Sequence, residues 1–516
     1  MDLSQYVIGV DIGTTSTKAV LFQTNGLVMD SAYEFYPLIK EKPEFAEQEL
    51  SAIYQAVLST IKQVVANTKV PAEQIVNVSF SSAMHSLILM DDNNLPLTRS
   101  ITWADNRAIH YAEQLKLGNG SEIYQRTGTP IHPMSPLCKI MWFKEQEPEL
   151  FEKTTKFIGV KEYVFYQLFG RYVVDYSVAS STGLFNIHEL AWDSLALKEA
   201  GITAEQLPLA VSPTTQVSGM KEEVAHELGL TPQTPFVLGG SDGCLSNLGV
   251  GAVDSKSVAI TIGTSAAVRM VTEKPYLDTD ERTFCYVLDE NHYVVGGAIN
   301  NGGVVLDWAK SQFFHPTILG ENKDEYGGMM ELIDSVPAGA NGLLFHPYLN
   351  GERAPLWQGE ARGSFFGLHL MHEEKHFLRA VLEGICLNIY DVLHEITEQA
   401  GQPDKIIATG GFSQSPVWRQ LLTDVVQQDV FMPESYESSC LGAVLMGLKS
   451  AGIIDDLKAV KSMIGSEHQH KPNAQESVVY KEIFPLYHKL SRQFSQNFEE
   501  LGLLQERIKR EVNTIK

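Results

Sequence analysis

The alternation of apolar and polar residues near the amino terminus predicts three short strands joined by two tight turns. Residues 7–12 form the first apolar run, which carries Asp11 near its end and stops at Gly13. A turn of small and hydroxylated residues follows, and residues 19–22 form the second apolar run. That run leads into Asn25-Gly26, a dipeptide that strongly favours a hairpin. The pattern therefore places one carboxylate at the mouth of the first turn.

The first turn has the residue types of an anion-binding site. Gly13, Thr14 and Thr15 offer successive backbone N–H groups and hydroxyls, and such N–H groups form a concave nest for anions. An acid beside the nest suits Mg²⁺, which binds through few carboxylates and keeps waters and phosphate oxygens as ligands. The competing interpretation is a surface hairpin with an ordinary Gly-Thr turn. This stretch alone leaves both interpretations open.

The opening pattern returns in the middle of the chain. Apolar residues recur at helical spacing over 47–67, and strands are predicted over 75–80 and 87–90. Residues 257–270 then repeat the apolar alternation and the Ile-Gly-Thr turn, with Thr261 in place of the acid. The second turn consists of Gly263, Thr264 and Ser265. We interpret the repeat as two related domains that face each other across one phosphate chain; the alternative is coincidence, because Gly-Thr turns are common.

The second half has the pattern of an α/β domain. Residues 376–400 form a long amphipathic helix, which Gly401 ends as a C-terminal cap would. A strand predicted over 405–408 meets Gly410-Gly411, and Ser415-Pro416 has the start signals of the next helix. A strand, a glycine turn and a helix amino terminus together form a natural nucleotide site.

The carboxyl-terminal stretch has two predicted parts. Residues 455–478 are polar and contain Pro, Gly and His, which predicts a linker. After Pro485, apolar residues recur at helical spacing as far as Leu501, which predicts a final helix that packs on the rest of the protein.

Composition narrows the class of protein. A chain of 516 residues is too long for one core, and 44% hydrophobic with 20% charged residues is typical of a globular protein. The formal net charge of −23 disfavours nucleic acid or an anionic membrane as partner. The five scattered cysteines fit reduced thiols. A polar amino terminus without a signal peptide, and no long apolar run, lead us to expect a cytoplasmic protein.

Two common site motifs are absent and one is rejected. The chain contains no GxxxxGK[ST] sequence and no GxGxxG after a strand, so a nucleotide site must be of another kind. His372 and His376 match the zinc motif HExxH, but the segment begins a helix whose first turn favours acids, and no third ligand is recognisable. His468 and His470 lie in the predicted linker, where solvated histidines are expected.

Asp242, His85 and Trp103 are further candidates for residues of a catalytic or binding site. Asp242 lies among glycines after an apolar strand predicted over 235–238, the usual place of α/β sites, although it could be a turn former. His85 could be a hydrogen-bonded structural histidine, and Trp103 could be a core residue. Their joint appearance with the two Gly-Thr turns favours a functional role.

Two longer motifs carry a resemblance to a known family. Residues 134–146 (MSPLCKIMWFKEQ) and 363–384 fit the two signatures of the FGGY family of carbohydrate kinases. With DIGTTSTKA, GGSDG, TIGTS and ATGGFSQSPVWRQ, the resemblance covers nearly the whole chain. It implies an α/β fold with two actin-like, ribonuclease-H-like ATPase domains that flank a catalytic cleft. The implied domains are residues 1–253 and 254–453, followed by a linker and helix over 454–516.

The resemblance implies a role for each candidate residue. Asp242 would be the general base that accepts the proton of the sugar hydroxyl, because an aspartate with a pKa of about 3.9 is ionised at neutral pH. Asp11 would hold Mg²⁺ near the phosphates of ATP. The sugar pocket would be formed by Met84, His85, Ser86, Trp103, Asp105, Asn106, Arg107 and Asn300. The ATP site would be formed by Gly13, Thr14, Thr15, Lys18, Gly263, Thr264, Ser265, Gly303, Asp307, Gly410, Gly411 and Ser415.

The same resemblance points to a substrate. The pocket motifs are most similar to those of gluconokinases, which implies transfer of the ATP γ-phosphate to D-gluconate to give 6-phospho-D-gluconate. A kinase of xylulose or another polyol or ketose is the alternative, and a sugar-sensing actin-like protein without kinase activity is a remote one. The carboxylate of gluconate calls for a cation, for which Arg107 is the candidate; its alternative role is a salt bridge at a helix start. A homodimer is expected from the resemblance.

Overall fold

The computed structural model describes residues 5–314, 324–433 and 437–515. Its α-helices are α1 (Leu50–Thr68), α2 (Ile109–Leu117), α3 (Gly120–Thr127), α4 (Pro136–Gln146), α5 (Pro148–Lys153), α6 (Val160–Phe169), α7 (Tyr176–Ser180), α8 (Ser194–Ala200), α9 (Glu222–Leu228), α10 (Asp242–Gly249), α11 (Gly303–Phe313), α12 (Glu325–Asp334), α13 (Glu374–Ala400), α14 (Pro416–Val426), α15 (Ser438–Ser450), α16 (Ala474–Ser495) and α17 (Phe498–Ile515). Its β-strands are β1 (Tyr6–Ile12), β2 (Ser16–Gln23), β3 (Val28–Phe35), β4 (Glu47–Gln48), β5 (Ile75–Ser82), β6 (Ile88–Met90), β7 (Ser100–Ile101), β8 (Lys156–Ile158), β9 (Val173–Asp175), β10 (Phe185–Asn186), β11 (Ala191–Trp192), β12 (Leu209–Val211), β13 (Gln216–Val217), β14 (Phe236–Ser241), β15 (Ser257–Ile262), β16 (Ala266–Thr272), β17 (Phe284–Asp289), β18 (His292–Ile299), β19 (Leu344–His346), β20 (Ser364–Phe366), β21 (Lys405–Thr409), β22 (Val430–Pro433) and β23 (Glu467–His470).

The chain folds into two compact units, each built from three segments. The first unit consists of Met1–Asp254, Val271–Val295 and Glu437–Gly465. The second consists of Ser255–Met270, Gly296–Tyr436 and Ser466–Lys516. Each unit contains its own sheet, so each is described by itself.

The first unit is organised on a six-stranded sheet with the order β13-β14-β5-β1-β2-β3. The strands β1, β2 and β3 form the antiparallel unit that the opening pattern predicts. Strand β5 pairs in parallel with β1, and strand β14 pairs in parallel with β5. A mixed sheet of this order, with helices on its faces, is typical of the ribonuclease-H-like fold.

Helix α1 covers this sheet because its apolar residues recur at helical spacing. Ile53, Val57, Ile61 and Val64 are fully buried against sheet residues such as Ile8. Burying one such side chain contributes about 1.5–3 kcal/mol. The helix begins and ends within three residues of the predicted 47–67 and closes at a left-handed Lys69.

The segment 110–230, whose order the sequence left open, forms helices α2 to α9 with short strands between them. Its apolar side chains build a second core of the first unit, which includes Leu115, Ile140 and Phe157.

The cysteines are free and buried, as expected of reduced thiols. Within the described ranges, no helix combines the length and apolar character that crossing a bilayer requires.

The second unit contains the strand series β16-β15-β21-β22-β23. The repeated hairpin is present, because β15 and β16 pair antiparallel as β1 and β2 do. The strands β21 and β22 extend it in parallel. The linker prediction for 455–478 is wrong, because Glu467–His470 pairs with Val430–Pro433 and closes the sheet. All four residues of this strand are polar, so no apolar alternation predicts it, and an edge strand can be polar on its open side.

Helix α13 runs from Glu374 to Ala400, two residues longer at its start than the predicted 376–400, and Gly401 follows its last turn. The prediction of one final helix after Pro485 is wrong, because α16 starts at Ala474 and includes Pro485, and α17 follows separately. Pro485 and Lys481, four residues earlier, are exposed. The carbonyl that a helical proline leaves without a donor can therefore bind water. Helix α16 packs on α13, where Arg379 donates to the Tyr480 hydroxyl at 2.8 Å.

Candidate active site

The sheet of the first unit brings the predicted acids to one edge. Because β1, β5 and β14 are parallel, their carboxyl ends lie side by side. Asp11 lies opposite Ser81, and Ser241 lies opposite Ser82, so Asp242 follows at the same edge. Two strand spacings of about 4.8 Å each separate β1 from β14 by about 10 Å. Ligands of α/β sheets bind at such carboxyl ends.

Side chains from elsewhere in the unit hold the turn between β1 and β2. The Gly13 N–H donates to the Ser16 carbonyl at 2.9 Å. The Gln48 side chain donates to the Gly13 and Thr14 carbonyls at 3.3 and 2.8 Å. The indole N–H of Trp103 donates to the Thr14 hydroxyl at 2.9 Å. Two residues that the sequence assigned to different ligands, Thr14 and Trp103, are therefore in direct contact.

Asp11 has the surroundings of a group that would hold a cation. Its Oδ1 accepts a hydrogen bond from the Ser81 hydroxyl at 2.6 Å. Burial raises the pKa of the Asp11 carboxyl, while Ser81 and the charge of Lys18 lower it. The Lys18 ammonium itself is paired with Glu437. A bound divalent cation would favour the ionised carboxylate that burial disfavours, and a single carboxylate among hydroxyls fits a largely hydrated Mg²⁺.

Asp242 is the first residue of α10, directly after β14. Its Oδ1 accepts a hydrogen bond from the Gly243 N–H at 2.6 Å. The side chain is half-buried, so it is reachable by a small ligand. A carboxylate at a helix amino terminus is stabilised in its ionised form by the helix dipole.

His85 occupies a strained position in the loop after β5. Its φ of 66° is left-handed, and such strain in a non-glycine residue concentrates at functional sites. Its Nδ1 lies 2.7 Å from the Ser181 carbonyl, and because a carbonyl only accepts, Nδ1 carries the hydrogen. The buried ammonium of Lys139 donates to the His85 and Thr102 carbonyls, both at 2.7 Å. Lys139 thus joins the two loops that carry most of the predicted sugar pocket.

Asp105 and Arg107 are engaged with one another and with the protein interior. The Asp105 side chain is fully buried and accepts from the Ala46 N–H at 2.8 Å. Arg107 donates to Asp105 at 2.8 Å and to Glu47 at 2.5 Å, and its guanidinium lies 3.8 Å from the Phe45 ring centre. The Arg107 side chain is only 4% exposed. This geometry supports the salt-bridge alternative for Arg107.

The remaining predicted residues of the first unit lie in surface positions. Met84 and Ser86 are half-buried, and the Ser86 hydroxyl accepts from the Val160 N–H at 2.9 Å. Asn106 is exposed, as is Thr15 at the tip of the first turn.

The second unit gathers the other predicted turns at one edge of its own sheet. The parallel pair β15–β21 places Thr261 opposite Thr409, so the turns after both strands are neighbours. The Gly303 N–H donates to the Gly263 carbonyl at 2.8 Å, and Val304 N–H donates to Thr264 at 3.2 Å. The first turn of α11 is therefore fixed to the Gly263–Thr264–Ser265 turn.

The glycine turn after β21 leads to the start of α14. Gly410 and Gly411 precede Ser415, which caps α14 by accepting from the Trp418 N–H at 3.3 Å. Burial raises the pKa of Tyr326; its hydrogen bond with Ser415 lowers it, and the charge of Asp307 raises it. Asp307 on α11 and Ser415 on α14 therefore lie near the same tyrosine.

Asn300 belongs to a hydrogen-bonded cluster centred on Glu352. The fully buried Glu352 carboxyl accepts from the Asn300 and Arg353 N–H groups at 2.7 and 2.9 Å. It also accepts from the side-chain amides of Asn301 and Asn388, both at 2.9 Å. Burial raises the pKa of Glu352 to about 7, against the lowering effect of these donors. Arg353 in turn donates to the Asn300 side chain at 2.7 Å.

The histidines of the HExxH sequence serve the start of α13. His376 accepts from the Glu373 N–H at 2.9 Å, and its other nitrogen lies 3.0 Å from the Asn341 amide.

In the part of the chain that the structure describes, Asp391, Glu395 and His488 are the groups that converge closely enough for a metal. Arg492 pairs with Asp391 and Glu395 at 3.5 and 2.7 Å, so this cluster is an ion-pair network between α13 and α16.

Family models match both halves of the chain. The model of the amino-terminal domain of the FGGY family of carbohydrate kinases matches residues 6–249, and that of the carboxyl-terminal domain matches residues 258–451. The chain belongs to the FGGY family of carbohydrate kinases. The resemblance inferred from the motifs is thereby confirmed, and the protein is a carbohydrate kinase.

Individual relatives are similar over nearly the whole chain. The gluconokinase of Bacillus subtilis (strain 168) is 47% identical over 97% of this chain and 98% of its own. The xylulose kinase of the same organism is 30% identical over 94% of this chain and 96% of its own.

Solved structures confirm the two-domain, actin-like fold. A gluconate kinase from Lactobacillus acidophilus has a TM-score of 0.92 and 37% identity, covering 96% of this chain and 100% of its own. A ligand-bound xylulose kinase from the same organism has a TM-score of 0.91 and 36% identity, with the same coverage. The fold is thus common to kinases with different named sugars.

Sequence reasoning missed the buried charges that support the candidate site. Lys139 stands within the motif of residues 134–146, yet nothing in its spacing indicates which carbonyls it contacts. Glu352 precedes the arginine of a gluconokinase-like motif, but three of its four donors come from distant segments, which carry Asn300, Asn301 and Asn388. A charged residue within the apolar stretch 136–143 is the signal that could have marked Lys139.

Proposed function

We propose that this chain is an ATP-dependent gluconate kinase that forms 6-phospho-D-gluconate. The observation that carries the proposal is the 47% identity to a gluconokinase over 97% of the chain, against 30% to a xylulose kinase. A difference of this size across the whole length favours a shared substrate with the former. The motifs of the predicted sugar pocket are similar to those of gluconokinases and agree with this proposal.

In this proposal Asp242 is the general base. An ionised carboxylate at the start of α10 would accept the proton of the gluconate 6-hydroxyl as that oxygen attacks the γ-phosphate. Phosphoryl transfer needs mainly positioning and charge stabilisation, so the placement of Asp242 at the carboxyl edge of the sheet supports the role.

The phosphates and the metal would be held by the two Gly-Thr turns and Asp11. Asp11 would hold Mg²⁺, mostly through water; when bound, that ion would neutralise phosphate charge and orient the γ-phosphate. Gly13, Thr14, Thr15 and Lys18 would contribute from the first turn. Gly263, Thr264, Ser265, Gly303, Asp307, Gly410, Gly411 and Ser415 would contribute from the second unit. That the two turns share one phosphate chain stays a prediction.

The sugar would be bound by the loops that Lys139 joins. His85 and Trp103 have defined hydrogen bonds there, and Met84, Ser86 and Asn106 are accessible beside them. Arg107 and Asp105 would act by fixing the loop, since their charges are used internally. We keep Asn300 as a predicted substrate contact.

Xylulose is the second candidate substrate. The near-equal similarity to a solved gluconate kinase and a solved xylulose kinase, at 37% and 36% identity, favours keeping it. The division of roles among residues 1–253, 254–453 and 454–516, the cytoplasmic location and the homodimer likewise stay predictions.

The test is an ADP-release assay with Mg-ATP on the wild type and on Asp242→Asn. We expect gluconate-dependent turnover in the wild type and its loss in the variant, with ATP affinity by calorimetry unchanged. Asp193→Asn is the matched control, because Asp193 caps α8 in the same unit and loses the same charge. Substantial turnover by Asp242→Asn would remove Asp242 from the role of base.

A further inference from the structure

A buried ion pair lies directly behind the strand that leads to Asp242. Lys161 on α6 and Asp175 at the end of β9 are both fully buried, with Nζ and Oδ2 2.5 Å apart. Taking two charges out of water is unfavourable, and such a pair often stabilises a fold no better than apolar side chains of similar volume. The role of this pair therefore lies in the backbone segments to which the two side chains are hydrogen-bonded.

Lys161 holds an irregular end of β14. Its ammonium donates to the carbonyls of Leu238 and Gly240 at 2.9 and 3.1 Å. The register of β14 against β5 shifts between Val237 and Gly240, and Gly239 has a left-handed φ of 64°. Bulges of this kind re-aim the residues that follow them. An ammonium has three donors, so Lys161 can bind both carbonyls and a carboxylate at once.

Asp175 supports the same segment from the other side. It caps α7 by accepting from the Val178 N–H at 2.9 Å. The hydroxyl of Ser177, in that first turn, accepts from the Ser241 N–H at 3.1 Å and lies 2.9 Å from the Ser241 hydroxyl. Lys161 and Asp175 thus fix residues 238–241 through three carbonyl or amide groups, and Asp242 is the next residue.

We propose that the Lys161–Asp175 pair, with Ser177, is a positioning device that sets the direction of the Asp242 side chain. The proposal rests on the proposed role of Asp242 as base. The pair touches neither substrate; it acts by fixing the backbone on which the base is mounted. Catalytic groups need placement within about 0.5 Å, and a displacement of about 1 Å can reduce turnover about 100-fold.

The test compares two double variants. Removing one charge alone would leave its partner buried and unpaired, so Lys161→Met is combined with Asp175→Asn. The control combines Arg126→Met with Asp193→Asn, because this pair also joins a buried helix-capping aspartate to a cation in the same unit, at 2.7 Å. Thermal unfolding, kcat, and KM for ATP and sugar are measured for both.

We expect kcat of the Lys161/Asp175 variant to fall about 30- to 100-fold with KM for ATP within about twofold of the wild type. The control should lose stability and keep kcat within about threefold. Unchanged kcat in a folded Lys161/Asp175 variant, or an equal fall in the control, would overturn the positioning role.

Ser177→Ala keeps the proposal testable if the double variant does not fold. It removes only the contacts with Ser241, and a fall in kcat that Ser177→Thr restores is the expected result. Equal kcat in Ser177→Ala and the wild type overturns the proposal. Failure of the base assignment is seen separately, as activity of Asp242→Asn, and failure of the substrate assignment as turnover on another sugar, on which all these variants can be compared.

Discussion

Gly442→Ala should reduce turnover although it alters no residue of the candidate site. Gly442 lies where α15 crosses α10, and a Cβ built there would be 2.0 Å from the Leu245 carbonyl oxygen. Real Cβ atoms do not approach closer than 3.0 Å, so the helices must separate by about 1 Å, the difference between the two distances. Asp242 begins α10 and would move with it.

The expected magnitudes follow from this displacement. A misplacement of about 1 Å corresponds to about 100-fold in kcat, or about 2.7 kcal/mol in the barrier. Overpacking costs about 1–3 kcal/mol of stability, which outweighs the gain of up to about 1 kcal/mol that alanine brings to a helix. We therefore expect lower kcat, a lower urea midpoint and little change in KM for ATP.

The control is Gly502→Ala on α17, where a new Cβ meets only the flexible Glu360 side chain, at 3.2 Å. It should keep wild-type kcat. The reasoning is refuted if Gly442→Ala is as active and as stable as the wild type, since backbone atoms would then have accommodated the methyl group without moving α10.

Three further changes test other parts of the account. Glu352→Gln should raise KM for ATP about tenfold or more, and an unchanged KM would contradict this. Each buried donor that loses its acceptor costs about 1–3 kcal/mol, so the segment before α11 that carries Asn300 and Asn301 would no longer be held in place. Burial lowers the pKa of Lys139 to about 7, so between about pH 7 and 10.5 the unfolded chain binds a proton that the folded chain does not, and this group makes the folded state more stable as pH rises across that window. Below about pH 7 the lysine is protonated in both states and adds no slope. Urea titrations of Lys139→Met should show a smaller rise in stability than the wild type between about pH 7 and 10.5, and equal slopes would refute this reasoning. Arg107→Ala should lower the free energy of unfolding by about 3–5 kcal/mol, because it leaves the Asp105 carboxylate buried without its ion-pair partner. An unchanged stability together with a raised KM for gluconate would instead indicate that Arg107 binds the substrate carboxylate.

Local chemistry was enough to predict the elements that carry the candidate site. The opening hairpin, its repeat over residues 257–270 and the Ser415 cap follow from apolar periodicity, glycine turns and capping rules that act within a few residues. That Asp11 and Asp242 lie at the same edge of the sheet could also be expected, because the carboxyl ends of parallel strands lie side by side.

The failures arose where distant segments decide the structure. Residues 467–470 are polar, and they form a strand only because β22 offers an open edge. Pro485 is typical of a helix break, but the carbonyl of Lys481, which loses its helical donor, is exposed and can accept a hydrogen bond from water. Arg107 is the candidate that the sequence offers for a substrate cation, but its ion-pair partner Glu47 lies 60 residues away in sequence. Pairings of this kind leave no local pattern.

Relative turnover of gluconate and xylulose with Mg-ATP tests the central claim most directly. Recognition of a carboxylate by charge-assisted hydrogen bonds contributes about 1.5–3 kcal/mol, so kcat/KM for gluconate should exceed that for xylulose by about 10- to 150-fold. A preference for xylulose would contradict the proposed substrate and leave the kinase assignment intact. Absence of ADP release with every sugar tested would contradict the proposed catalytic site itself.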